Sequence, residues 1–347
     1  MQATNSTVLP VLPTMGVGST AVPGWFGFLR RQLREGAFGA ADVEELLDDG
    51  LRLVVSDQIE AGLDILSDGE IRRQRFVFEM YDRLTGLKRV DSPRRLGVPG
   101  YDQAPQFEVT GSIEAPHGLG VVEDFLKLRA LAPGRELKIA LPGPLTFADA
   151  LRHRRRSNEI VLDDMVRVVR QEVELLVRAG ARRIQIDEPG LTHPSHGLPL
   201  DAAAQLINRC MEGLGGHFGV HLCFGNNAGR PMAQRSIERL MPGISQLQCE
   251  ELVLEFANRE MAEVELLAKL SRTHHIAAGV VDVKSFYVET KDDVAGRIEK
   301  VLAHVPPARL TVTADCGFSA LPRAVARAKM RAMADGARLV RERMGEG

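Results

Sequence analysis

The sequence predicts a single (β/α)8 barrel of the TIM type, and three observations lead there. Short β-branched runs alternate with longer amphipathic stretches, the signature of parallel strands joined by helical crossovers. Many such units occur without a GxGxxG turn, which favours a closed barrel over a doubly wound sheet. Polar residues able to bind ligands or move protons stand at the ends of five strands: Asp187, Cys223, Glu255, Asp282 and Cys316. In a barrel the carboxyl-terminal rim is where the site is built.

The elements follow in order. Residues 8–17 form the first β-branched run, closed by Gly18-Ser19. Apolar residues at three- and four-residue steps predict a helix over 43–61, leading into a strand at 63–66 that ends on Asp68-Gly69-Glu70. A strand at 137–141 is stopped by Pro142-Gly143-Pro144, and a long amphipathic helix over 158–178 ends on the C-cap signal Ala179-Gly180. Strands follow at 183–186, 218–222, 252–254, 276–281 and 310–313, and a helix over 321–343 ends the series. With 106–113 included there is one strand candidate too many for the barrel, so either it or the N-terminal run is accessory. The Pro-, Gly- and Arg-rich segment 88–105 reads as a surface excursion, within one domain spanning 1–347.

Composition narrows the function. The chain has 347 residues, 44% of them hydrophobic, enough for a large core. A net charge of -2 and a pI near 6.5 exclude the basic face that nucleic acid or a membrane surface would require, so the partner is a small molecule. The basic run Arg152, His153, Arg154, Arg155, Arg156 reads as a solvated helix end or loop. There is no apolar stretch of about 18 residues to cross a bilayer, and no signal peptide pattern at the start. Four cysteines do not make a disulfide framework in a chain this long, so a reducing, cytoplasmic setting is expected, with thiols free for metal binding or catalysis.

His221 and Cys223 lie two apart on one strand and so face the same side. With Glu255 and Cys316 from two other strand ends they can make a four-ligand set, and such a mixture of imidazole, carboxylate and thiolate suits one Zn2+ ion. Thiolate-rich coordination leaves zinc a weak activator of water but able to hold a substrate thiol as thiolate, which predicts alkyl transfer to sulfur better than hydrolysis. The rival reading is plain packing, because cysteine is among the most buried residues. Cys210 reads as core, whereas Cys249, followed by Glu250-Glu251, competes with Glu255 as a ligand.

These residues resemble a known family. Val17-Gly18-Ser19, Asp68-Gly69-Glu70, Pro142-Gly143-Pro144-Leu145-Thr146, Ile184-Gln185-Ile186-Asp187-Glu188-Pro189, His221-Leu222-Cys223, Leu254-Glu255-Phe256-Ala257 and Asp315-Cys316-Gly317 occur in the order and at intervals similar to those of the catalytic barrel of cobalamin-independent methionine synthase. The resemblance covers nearly the whole chain. It implies zinc on His221, Cys223, Glu255 and Cys316, with Glu255 preferred over Cys249, Glu250 and Glu251 by its interval to Cys316. It also implies that Ser19, Glu70 and Asp187 surround the amino-acid part of homocysteine, the carboxylates taking the ammonium group and Ser19 the carboxylate.

Departures fall on the methyl-donor side. Lys284, in Val281-Asp282-Val283-Lys284-Ser285, stands where the family carries a proton-donating histidine; Ala150 replaces a tryptophan near the pterin; and His193 occupies the position of a substrate-contacting glutamate. The nitrogen of methyltetrahydrofolate must be protonated to leave, whereas cobalt-bound methyl needs no proton. The expected function is a zinc-dependent methyltransferase making methionine from homocysteine, with methyltetrahydrofolate or a methylated corrinoid, the latter delivered by a corrinoid protein, as donor. Lys284 or Asp282 is expected to assist the donor, Lys284 as an acid if its pKa is lowered. The rivals are another thiol alkyltransferase or lyase of the superfamily, of the epoxide–thiol type, and a non-catalytic zinc- or corrinoid-binding homologue.

Overall fold

In the computed structural model, which describes residues 8–34, 36, 38–73, 77–90, 105–153, 156–193, 196–226 and 231–346, parallel strands curl into a barrel of the TIM type. The strands in chain order are β1 (Ile65–Ser67), β2 (Thr85–Val90), β3 (Gln106–Glu114), β4 (Glu136–Pro142), β5 (Leu151–Arg152), β6 (Arg183–Asp187), β7 (His217–Leu222), β8 (Glu251–Glu255), β9 (His275–Val281) and β10 (Leu310–Ala314). Seven of them pair in the order β1-β4-β6-β7-β8-β9-β10, all parallel.

The open edges of that sheet, β1 and β10, meet through the N-terminal run. Thr14 bridges to Val312 and Met15 to Ile65, both in parallel. The Met15 N–H donates to the Val312 carbonyl at 3.0 Å, and the Ile65 N–H to the Thr14 carbonyl at 3.0 Å. A short segment thus takes the eighth barrel position and satisfies the edges that an open sheet would leave bare.

The surplus strand is therefore β3. It joins β2 and β5 in a separate three-stranded sheet, in the order β2-β3-β5. Neither β2 nor β5 is evident from the sequence: β2 is half-exposed and β5 has only two residues, inside the basic run. Of the expected 88–105 excursion, Lys88–Val90 belongs to β2 and 91–104 lie outside the described residues, as do Arg154 and Arg155.

The helices form where their apolar spacing placed them. Ala40–Ala61 ends at Gly62, whose φ of 86° is a left-handed cap. Asn158–Arg178 starts at Ser157, whose hydroxyl accepts from the Ile160 N–H, and buries Val161, Met165, Val169 and Val173 against the strands. Each such side chain stabilises by about 1.5–3 kcal/mol. Arg323–Met344 packs beside the helix Lys291–Leu302, opened by a Thr290–Asp293 capping box. Among the described residues no helix is long and apolar enough to cross a membrane.

The barrel interior is partly polar. Lys138, Gln185, Glu251, Thr311 and Thr313 are buried there beside Met15, Val17, Ile65, Val253 and Ala277. The burial is tolerable because each polar group finds partners: Thr311 donates to Glu251, and Thr313 to the Met15 carbonyl.

Candidate metal and substrate site

The carboxyl ends of the strands converge on a cavity of about 680 Å³. His221 is the last residue but one of β7, Cys223 follows it by two, and Cys316 follows β10; their ligand atoms lie within 4.8 Å of one another. The Cys223 and Cys316 sulfurs are 3.5 Å apart, and the Gly225 N–H donates to Cys223 at 3.3 Å. The hydrogen bond between the two sulfurs drives the Cys223 thiol well below the usual thiol range and raises that of Cys316.

His221 Nδ1 lies 3.0 Å from Asp187 Oδ1, while its Nε2 is buried with no hydrogen-bond partner. Burial opposes charge on this ring, but Asp187 and Cys223 outweigh it and push its pKa up to about 9. A buried imidazole nitrogen left bare beside two sulfurs is a donor set in want of a cation. These residues fit zinc.

Glu255 ends β8 but is not in that compact trio. Its Oε2 accepts from Lys284 Nζ at 2.8 Å, whereas Oε1 is buried and unpartnered. One oxygen thus remains for a metal. Burial raises the Glu255 carboxyl above its ordinary value, against the pull of Lys284.

The same pair bears on the expectation for Lys284. Burial works against its charge, yet Glu255 more than compensates and holds it above the ordinary lysine range. A proton donor with a lowered pKa is the opposite of this arrangement, and Lys284 is not among the cavity-lining residues. Asp282 is not there either: its Oδ1 accepts from the Lys284 N–H at 2.7 Å and from Asn258 at 3.3 Å, closing its own turn. His193 is also absent from the lining. The short helix Pro189–Leu191 leads it to Asp149, with Nε2 at 3.3 Å from Oδ2.

Ser19, Glu70 and Asp187 do line the cavity, together with His221, Cys223 and Cys316. Glu70 sits in a strained left-handed turn, φ 54°, and packs over Gly18, where a Cβ would lie 2.4 Å from Oε1. Burial pushes the Glu70 carboxyl up to about 7, with Arg73 opposing and Asp187 and Asp68 reinforcing the rise. Arg73, Phe78, Asn226, Met232 and Ser319 also line it, and none of them was evident from the sequence. The only hint of Arg73 was its position three residues after Glu70.

Two further buried carboxylates brace the rim. Asp315 accepts the backbone N–H groups of Phe256, Ala257 and Asn258, tying the Cys316 loop to the end of β8. Glu188 accepts from the Leu145 and Thr146 N–H groups, joining the Asp-Glu-Pro motif to the first turn of the helix Pro144–Asp149. Gly143 and Gly190 leave room for it: a Cβ on either would lie 2.2 or 2.7 Å from its oxygens. Cys249 is a core residue whose thiol donates to the Glu251 carbonyl, and burial raises its pKa, which removes it as a rival ligand.

Comparison with known proteins gives the family. A family model described as "Cobalamin-independent synthase, Catalytic domain" matches residues 12–339. Methionine synthase of Saccharolobus solfataricus is 29% identical over 97% of both chains, and that of Sulfurisphaera tokodaii 30% identical over 97% of this chain and 94% of its own. The structure of a B12-independent methionine synthase from Shewanella sp. W3-18-1, in complex with selenomethionine, superposes with a TM-score of 0.81 at 28% identity, covering 96% of this chain and 99% of that one. The chain belongs to the cobalamin-independent methionine synthase family, as its catalytic domain.

Proposed function

We propose that this chain, acting as one unit over 1–347, transfers a methyl group to the thiol of homocysteine to form methionine, with zinc as its metal. The observation that carries the proposal is the convergence of His221, Cys223 and Cys316, with a bare Nε2, in the cavity that Ser19, Glu70 and Asp187 also line. Zinc, when bound, supplies a Lewis acid that keeps a substrate thiol as thiolate near neutral pH. His221, Cys223 and Cys316 would hold it, with Glu255 Oε1 as the fourth donor. Glu70 and Asp187 receive the substrate ammonium group, and the Ser19 hydroxyl its carboxylate.

Selenomethionine bound to the Shewanella relative supports an amino-acid product in this cavity. An ammonium-binding pair of carboxylates disfavours a thiol without an amino group, and with it the epoxide–thiol reading. The donor side follows from Lys284. Its ammonium is engaged by Glu255 and it is not among the cavity-lining residues, which disfavours it as an acid for a folate nitrogen. A methylated corrinoid, which releases methyl without a proton, suits the site better than methyltetrahydrofolate, and a corrinoid protein would be its carrier.

The test is metal content together with methionine formation from homocysteine, using methylcobalamin and methyltetrahydrofolate in parallel. Turnover with methylcobalamin is expected, and absence of homocysteine binding by zinc-loaded protein at millimolar concentration would refute the reading. Lys284→Met is expected to slow whichever donors are used by the same factor, about tenfold, because it disturbs Glu255 and not the donor. A loss confined to the folate rate would restore the acid role.

The Glu70 carboxyl also predicts a pH dependence. A buried acid pushed up to about 7 is neutral below that pH and attracts an ammonium group only above it. Methionine affinity is expected to be about tenfold weaker at about pH 6 than at about pH 8, and this slope should vanish in Glu70→Gln. Calorimetric titration at both pH values measures it.

A further inference from the structure

A buried line of side chains runs from the barrel interior to the imidazole of the candidate metal site. Lys138 on β4 is 3% exposed, and its ammonium donates to the Gly16 carbonyl at 2.6 Å, the Val17 carbonyl at 2.8 Å and Gln185 Oε1 at 2.7 Å. An ammonium group has three N–H donors and no acceptor, so all three are spent. That fixes the next group. Gln185 on β6, 1% exposed, must turn its oxygen toward Lys138 and its NH2 the other way. The NH2 accordingly donates to the Val17 carbonyl at 2.9 Å and to Asp187 Oδ1 at 2.6 Å.

Asp187 Oδ1 receives His221 Nδ1 as well, at 3.0 Å. A carboxylate only accepts, so Nδ1 must carry a proton, which leaves Nε2 as the ring nitrogen that can offer its lone pair to a metal beside the two sulfurs. Both hydrogen bonds fall on the same carboxylate oxygen, and Asp187 lines the cavity, which leaves Oδ2 for the substrate side. The Gly16 and Val17 carbonyls held by Lys138 and Gln185 lie just before Ser19, which lines the same cavity.

The geometry points to Lys138 and Gln185 as positioning residues that orient Asp187, and through it His221, for metal binding while anchoring the Ser19 loop. This rests on the zinc reading above and goes beyond it. Neither side chain lines the cavity, so neither touches substrate or metal. Each acts through another group. The same clamp serves two tasks, because the residues that orient the imidazole also hold the loop that receives the amino acid.

The experiment measures zinc affinity by chelator competition, and the ligand-field spectrum of the cobalt(II)-substituted protein, in wild type, Gln185→Met and Gln185→Glu. Wild type that binds no zinc defeats the metal reading itself. With wild type binding, Gln185→Met is expected to lower zinc affinity about 10- to 100-fold and shift the cobalt bands, with a far-UV circular dichroism spectrum like that of wild type. Gln185→Glu keeps the shape and the Lys138 partner but sets a second carboxylate against Asp187, and is expected to do the same. Unchanged affinity and bands in either folded variant overturn the inference. Nitrogen-15 NMR of histidine-labelled wild-type protein gives a check that needs no variant to fold: His221 must show its proton on Nδ1 and a metal-shifted Nε2, and the reverse assignment overturns the inference too. Lys138→Met is expected in addition to raise the KM for homocysteine about tenfold, through the Ser19 loop, with kcat falling by a separate factor that follows zinc occupancy.

Discussion

Cys223→Ser is expected to leave the fold intact while lowering zinc affinity and the methyl-transfer rate by about 10³-fold or more. The fold survives because sulfur and hydroxyl differ little in volume and the residue keeps its N–H···Oγ partner at Gly225. The metal does not survive because serine has no accessible anion. The Cys223 thiol is driven down by its hydrogen bond with Cys316 and can serve as an anionic ligand, a role that a hydroxyl cannot take near neutral pH. Losing one anionic ligand removes several kcal/mol of charge stabilisation, which converts to the rate factor given. Cys249→Ser is the matched control: it lies in the core, bonded to the Glu251 carbonyl, and should retain full zinc. Metal analysis of both variants decides it. Equimolar zinc and a normal rate in Cys223→Ser would remove this residue from the site.

Asp315→Ala is expected to cost about 3–5 kcal/mol of stability and to weaken zinc binding in the protein that remains folded. The carboxylate is 1% exposed and collects three consecutive backbone N–H groups just after β8, at 2.6–2.9 Å. Each donor left without a partner costs about 1–3 kcal/mol, reduced where water enters the space. Burial pushes the Asp315 carboxyl up to about 8 in spite of those donors, so the loop is held by a group already under electrostatic stress. The bond network joins the chain at Cys316 to the chain at Glu255, which is why stability and metal binding should fall together. Urea unfolding with chelator competition measures both. A variant destabilised by less than about 1 kcal/mol would show that the loop is held by other contacts.

The chemistry at the strand ends was legible because a barrel places one class of position, the residue just beyond each strand, at one common rim. That rule and the two-residue repeat of a strand made His221, Cys223 and Cys316 candidates, but plain packing stayed an equal rival until the family resemblance favoured a metal. Ser19 was harder. Its strand is a bridge of two residues, Thr14 and Met15, too short to distinguish in a pattern from the surplus strand β3. Lys138 and Gln185 gave no signal, because one polar residue in an apolar run looks like a surface position until the curl of the sheet turns it inward. The Lys284–Glu255 pair spans 29 residues and two strands, a distance over which sequence spacing carries no register. His193 follows the Asp-Glu-Pro motif closely enough to suggest the cavity, but one short helix was enough to aim it at Asp149.

The seam made by Thr14 and Met15 has a consequence for how the protein comes into being. Ser19 meets Ser319 across a separation of 300 residues, and the cysteine pair joins β7 to the loop after β10. During synthesis the segment of Thr14 and Met15 can meet β1 early, but its edge toward β10 stays unmatched until β10 leaves the ribosome. No shorter nascent chain contains a finished site, so metal capture is expected to come after translation of the last strand and to act as a late lock on a barrel already curled.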